Sequence, residues 1–169
     1  MKNNQLVYII GGVAAAISFI IFIILYIMGN NPFGPMSWIG SVIPVVFIFM
    51  GTKKIRDEQY EGIITYGQAL LTGVIITFAW SLGFAILSYL FCKFIDIQIL
   101  QWHIDELIVN IERAGEFIGE EMMEESISQI EKMSLFDIIQ ADFINKIIGG
   151  LIISLSVAGI VKRQKPMFE

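Results

Sequence analysis

Four stretches of the chain are almost purely apolar, and a fifth alternates apolar and acidic positions with the repeat of a helix. The first runs without a charge from Leu6 to Met28, enough at ~1.5 Å per residue to cross a hydrocarbon core of roughly 30 Å. Gly29-Asn30-Asn31-Pro32-Phe33-Gly34-Pro35 follows, dense in turn formers and uncharged, and predicts a tight connection between antiparallel helices. The second span covers 33–51. Pro44 lies near its middle, removing a backbone donor and kinking the helix, with Gly40 one turn earlier on the same face; a re-entrant loop is the alternative. Gly51 is the expected stop, before Lys53, Lys54 and Arg56. The third span, 63–94, is longer than a bilayer requires, so it tilts or projects. The fourth, 143–161, ends at Lys162, Arg163 and Lys165.

Between spans three and four lies a segment of different character, 96–142. Ile97, Leu100, Ile104, Leu107, Ile111, Ala114 and Ile118 recur at three- and four-residue steps, which predicts an amphipathic helix with one apolar stripe. Glu112, Glu116 and Glu120 line another face at four-residue spacing. They read as a solvated face; calcium or a basic partner is the alternative, although the spacing fits no compact metal loop. Ser134-Leu135-Phe136-Asp137 has the form of a capping box and predicts a new helix start. Asp142 and Lys146, four apart, pair at the mouth of the last span.

Mean hydropathy of +0.72 and a charged fraction of 16% over 169 residues place the chain outside the range of soluble domains. The fold class is an all-α integral membrane protein in one domain, 1–169, with four transmembrane helices and an extramembrane amphipathic helical segment between spans three and four. A cleaved secretory signal is the alternative for the first run, but that run exceeds an h-region and no small-residue cleavage site follows it. Cys92, the lone cysteine, has no disulfide partner and reads as a packing residue. The 96–142 segment holds twelve acidic and two basic residues, a net charge of −10, against +5 for the rest of the chain. With both termini cytoplasmic, that side receives seven basic residues (Lys2, Lys53, Lys54, Arg56, Lys162, Arg163, Lys165) against four opposite, as the positive-inside rule asks. Tyr26, Trp38, Tyr89 and Trp102 then fall near the outer boundary and Tyr8 and Tyr66 near the inner one. Trp80 falls mid-span and reads as a packing residue.

The residues with the most sequence-specific information lie where the short basic loop becomes the third span. Asp57 is the expected N-cap of that helix, with Glu58 and Glu61 in its first turn. Gln68 lies where lipid begins and needs a partner for its amide. Arg56, Asp57, Glu61, Tyr66 and Gln68 therefore form a candidate polar cluster at the cytoplasmic surface, able to grip a headgroup, an ion or a partner protein. The plainer reading of the same residues is a helix cap, a headgroup anchor and a belt aromatic. Gly67, Ala69, Gly73, Ala79 and Gly83 form the candidate helix-packing face of the third span, and Gly11, Gly12, Ala15 and Ala16 make similar small-residue pairs on the first. These faces serve a homo-oligomer or are used up within one chain. His103, the only histidine, has only carboxylates for metal-ligand neighbours and reads as a surface residue.

Arg56-Asp57-Glu58, Gly62, Tyr66-Gly67-Gln68-Ala69 and Gly73, with the Ile95-Asp96 exit from span three, the acidic segment and the closing Lys162-Arg163, Pro166 and Phe168, resemble the bacterial membrane family called domain of unknown function 4199. The resemblance covers essentially the whole chain. It implies four transmembrane helices in the inner membrane of a Gram-negative bacterium and supplies no reaction and no catalytic residue. Gln98 stands near where that family's pattern has a proline.

Function classes separate on the same residues. A non-enzymatic scaffold or accessory subunit needs only packing faces and the acidic outer helix, through which it meets a protein partner. A small oligomeric transporter or channel is the alternative, opposed by spans whose centres lack ionisable residues. An enzyme needs a nucleophile beside a base, or a metal, and His103 has no suitable neighbour in sequence. The expectation is thus a non-enzyme in contact with the lipid bilayer, without cofactor, metal or nucleic acid.

Overall fold

The computed structural model describes residues 4–163, without the side chains of Glu116 and Ile118; Lys2, Lys165, Pro166 and Phe168 lie outside the described residues. Each apolar stretch folds as a helix: α1 (Asn4–Ile27), a 3-10 segment (Pro35–Ser41) that runs into α2 (Val42–Gln59), and α3 (Tyr66–Phe94). The acidic region gives α4 (Gln98–Ile118) and α5 (Glu120–Ile130), and α6 (Leu135–Val161) closes the chain. Four helical segments are long and apolar enough to cross a membrane: Gln5–Ile27, Pro35–Gln59, Tyr66–Phe94 and Leu135–Val161.

The central helix is α3, which packs against α1, α2 and α6. Small residues set how closely. Gly11 of α1 faces Ala79, and Ala15 faces Gly83, so two four-residue repeats interlock between parallel helices; a Cβ at Gly83 would meet that of Ala15 at 2.9 Å. Against antiparallel α6, Gly73 lies under Ser154 and Gly150 lies under Thr77. With no hydrophobic effect between helices in lipid, such close backbone approach supplies the packing energy. Ser18, Thr72, Thr77, Ser88 and Ser154 are buried, whereas Ile20, Ile24, Phe78, Leu82, Ile86, Leu90 and Ile152 point outward, an arrangement suited to an apolar solvent. Several buried hydroxyls are satisfied by the preceding turn: Thr72, Ser88 and Ser154 donate to the carbonyls of Gln68, Phe84 and Gly150 at 2.7–2.8 Å.

Several helix ends differ from the sequence expectation. The second span does not stop at Gly51: α2 continues to Gln59, and Gly51 serves close packing instead, with the Ile76 and Ile10 side chains over it leaving no room for a larger residue. Pro44 falls in the first turn of α2, where its missing N–H is one of those without an intrahelical acceptor, so the span is divided by a 3-10 segment rather than bent at its middle. Asp57 lies inside α2, and the N-cap of α3 is Thr65. The capping box at Ser134 and Asp137 is present and opens one continuous helix that includes the fourth span.

At the exit from span three, Asp96 accepts from the Gln98 amide at 2.8 Å and from the Tyr26 hydroxyl at 2.7 Å. A proline at 98 would lack the first donor. The segment between spans three and four is a hairpin rather than one helix, since Gly119, with φ +84°, ends α4 and begins α5. Glu120 therefore leaves the face of Glu112, and the side chain of Glu116 lies outside the described residues. Ile104, Ile130 and Ile138 bury together with Phe33, Leu100, Leu107, Ile108 and Ile111 around them, which ties the base of the hairpin to α6 and to the first connection.

Candidate functional site

The polar cluster read from sequence lies at the end of the bundle where α2 and α6 finish, and the structure uses most of it for joining helices. Arg56 is only 6% exposed. Its Nε donates to Asp57 Oδ1 at 2.7 Å, and its Nη1 reaches the Val161 carbonyl at 3.4 Å. A cation is thus set at the C-terminus of α6, where the helix dipole favours it. The Gly62 amide donates back to the Arg56 carbonyl, six residues earlier, at 3.0 Å and closes the turn that ends α2, with Glu61 and Gly62 both at positive φ. Ile64 and Arg163 exchange two backbone hydrogen bonds, at 3.0 and 3.1 Å, and fasten the loop to the chain beyond α6.

Tyr66 donates its hydroxyl to the Leu155 carbonyl at 3.4 Å. Gln68 satisfies its amide oxygen locally, accepting from the Thr65 amide and hydroxyl at 3.0 Å each and closing the α3 capping box. Arg56 and Asp57 are brought together, Tyr66 and Gln68 each go to other partners, and Glu61 sits exposed in the turn. Of the packing residues, Ala69, Gly73, Ala79 and Gly83 face other helices, whereas Gly67 is open, with nothing within 4 Å of where its Cβ would be.

At the opposite end the structure forms a site that the sequence announced only through one pair. The 3-10 segment packs on α1, and α2, into which it runs, packs on α1, α3 and α6. A cavity of about 290 Å³ lies beside the 3-10 segment, lined by residues of α1, the first connection, the 3-10 segment, the first turn of α2, α3 and α6. Asp142 and Lys146 enter it from α6 as an ion pair, each side chain about four-fifths buried. The Lys146 ammonium also lies 4.2 Å from the centre of the Phe84 ring, a cation–π contact. Asp142 Oδ2 is buried and accepts no hydrogen bond from any described residue. Trp80, on the wall, donates from Nε1 to Ser18 Oγ at 2.9 Å, and Phe22 stacks edge-on with Phe84 and Phe33 at 5.9 and 5.2 Å.

The rim above the cavity corrects the reading of His103 as a surface residue. Asn31, in the first connection, is 7% exposed and holds both neighbours with one amide: Nδ2 donates to Glu106 Oε2 at 2.5 Å and lies 3.1 Å from His103 Nδ1. Its Oδ1 accepts from the Phe33 amide at 3.0 Å. His103 is half-buried against the Phe33 ring, and burial holds its pKa below the usual value, with Glu106 and Asp142 opposing that shift. No periodicity marks Asn31, because a loop residue gains its partners only when α4 folds back over it. The Asp142–Lys146 spacing was the one signal of this region available from sequence. Among the described residues no three His, Cys, Asp or Glu side chains converge as metal ligands would.

These features define, over the described residues, an all-helical protein with four segments long and apolar enough to cross a membrane, a clamp of ion pair, cap and backbone bonds at one end and a charged cavity under a helical hairpin at the other. The family model described as "Protein of unknown function (DUF4199)" matches residues 9–163, and the chain belongs to that family. No curated protein and no solved structure matches it.

Proposed function

We propose that the protein is a non-enzymatic membrane scaffold or accessory subunit that meets a basic partner protein through its α4–α5 hairpin, in the inner membrane of a Gram-negative bacterium. The observation that carries this reading is the hairpin itself. Its base is buried on the bundle, while its far end presents Phe117, 88% exposed, and Met122, 58% exposed, beside exposed Glu112, Glu120, Glu121, Glu124 and Glu125. An exposed aromatic among like charges has no role in the chain's own packing and matches what a recognition surface needs: an apolar anchor with a charged rim. The membrane-embedded faces support less of the scaffold role than sequence suggested, since Gly11, Ala15, Gly73, Ala79 and Gly83 are occupied within the chain.

Transport remains the second reading, favoured by one observation. Lys146 is the twelfth of the 27 residues of α6, with Asp142 one turn before it, so an ion pair faces a cavity within a helix long and apolar enough to cross a membrane. The discriminating experiment places a photo-crosslinking amino acid at Phe117, and separately at lipid-facing Trp38, in native membranes. The scaffold reading expects one discrete protein adduct from position 117, absent from 38 and weakened by charge reversal at Glu120, Glu121 and Glu124. Adducts with lipid alone, or none, would overturn it.

A further inference from the structure

The cavity beside α6 has a depth, a charge pattern and an opening that together specify a ligand. Val161 ends α6 at the inner side, and counting outward at ~1.5 Å per residue, a hydrocarbon core of roughly 30 Å ends near Asp142. Asp142 therefore stands at the level where lipid headgroups begin, and Lys146 one turn below it. The wall of the 3-10 segment presents Ser37, Gly40 and Ser41 to the cavity, and the neighbouring Met36 and Trp38 are 48% and 66% exposed toward the surroundings of the bundle. Ile21, Phe22, Leu25, Phe84 and Ile153 supply an apolar floor. An ion pair at this depth is costly unless further hydrogen bonds satisfy its remaining donors and acceptors. Asp142 has Oδ2 without a donor among the described residues, and Lys146 directs one of its three N–H groups at Asp142.

A molecule that carries an ammonium and an anion a few bonds apart complements both, and at this level of the membrane such a molecule is a phospholipid. We propose that the cavity binds the headgroup of a zwitterionic phospholipid with a primary amine, its phosphate on Lys146 and its N–H donors on Asp142, with the acyl chains passing out between the 3-10 segment and α6. The primary amine matters because a quaternary ammonium has no N–H for the carboxylate, and an anionic headgroup without an amine leaves Asp142 unmet.

Native mass spectrometry of the detergent-solubilised full chain tests this, with phosphatidylethanolamine, phosphatidylcholine and phosphatidylglycerol of matched acyl chains titrated in turn, and with soluble phosphoethanolamine as competitor. Phosphatidylethanolamine should bind about tenfold more tightly than the other two, the scale of one hydrogen bond to a charged group. Asp142→Asn should abolish that preference, and Lys146→Gln should weaken all three lipids. Gly149→Val guards against misfolded charge variants: Gly149 lines the cavity with nothing within 4 Å of its Cβ position, so a side chain there fills the space without displacing a neighbour. It should exclude the lipid while leaving thermal stability intact. Equal binding of the three lipids, or retention of phosphatidylethanolamine by Gly149→Val, would overturn the proposal. So would phosphoethanolamine competing at the lipid's own concentration, which would make the ligand a free solute.

Discussion

Arg56 shows how a residue can be identified from sequence and its work misassigned. Its position in a basic loop suggested contact with headgroups, but its guanidinium is turned inward onto the last turn of α6. Asp57, its partner, has a side chain 47% exposed, so the two halves of the pair should respond unequally to mutation. Arg56→Met removes a hydrogen bond to a buried carbonyl and should lower stability by roughly 1–2 kcal/mol, read as thermal unfolding in detergent. Asp57→Asn, acting on a half-solvated partner, should cost less than about 1 kcal/mol. Equal losses would mean that Arg56 acts through Asp57 rather than through α6. His103 provides the pH dependence. Burial depresses its pKa, so the folded state favours the neutral ring, and the groups facing it are Glu106 on α4 and Asp142 on α6, both acidic, with uncharged Asn31 between α1 and the 3-10 segment. The unfolded chain takes up the proton first as pH falls through about 6.5, and stability contributed by the neutral ring is lost from there down to the folded pKa. Protection factors of the α4 amides, taken relative to the intrinsic exchange rate at each pH, should fall as pH drops below about 6.5, and His103→Gln, which keeps an acceptor but cannot titrate, should flatten that response.

At the scale of elements, periodicity located the spans and missed where helices join. Hydrophobic runs gave the four spans because a bilayer imposes length and apolarity on any segment that crosses it. Ends were less legible. Thr65 rather than Asp57 caps α3, since the cap is decided by where the turn after α2 releases the chain, and that turn is set by Glu61 and Gly62, with Glu61 in a backbone region that propensity does not assign to glutamate. The same limit hid the hairpin: a single glycine at 119 in an otherwise continuous helical pattern reads as tolerated, and only its φ shows that it divides the helix. Small residues were legible as a class, but not which of them touch. Gly73→Leu should be destabilising by about 1–3 kcal/mol because its side chain would be driven into Ser154 and Ile48. Gly67→Ala, with open space around it, should leave stability unchanged or raise it by up to about 1 kcal/mol. Both are measurable by thermal unfolding of the purified chain. If Gly67→Ala proved the more damaging, position 67 would face a second copy or another partner.

Charge is divided unevenly along the chain: −10 over residues 96–142 and +5 over the rest. An even number of spans puts both termini on one side whichever way the chain inserts, so orientation rests on Lys and Arg alone, since acidic residues contribute little to it. Seven basic residues against four favour cytoplasmic termini and an outward hairpin. Cys92, the only cysteine, is fully buried and provides a silent background for a direct test. A membrane-impermeant maleimide applied to intact spheroplasts should label Ser128→Cys, an exposed position on α5, and should reach Lys54→Cys, at the other end, only after lysis. The result bears on both proposals at once. With the hairpin outside, its partner is an extracytoplasmic protein or domain and the lipid at Asp142 belongs to the outer leaflet. Labelling of Lys54→Cys alone in intact spheroplasts would invert the chain, moving the acidic hairpin to the cytoplasm and the headgroup site to the inner leaflet. The chemistry of the cavity would be unchanged, because Asp142 and Lys146 keep their depth from the hairpin end in either orientation, but the pool of lipid available to it would differ.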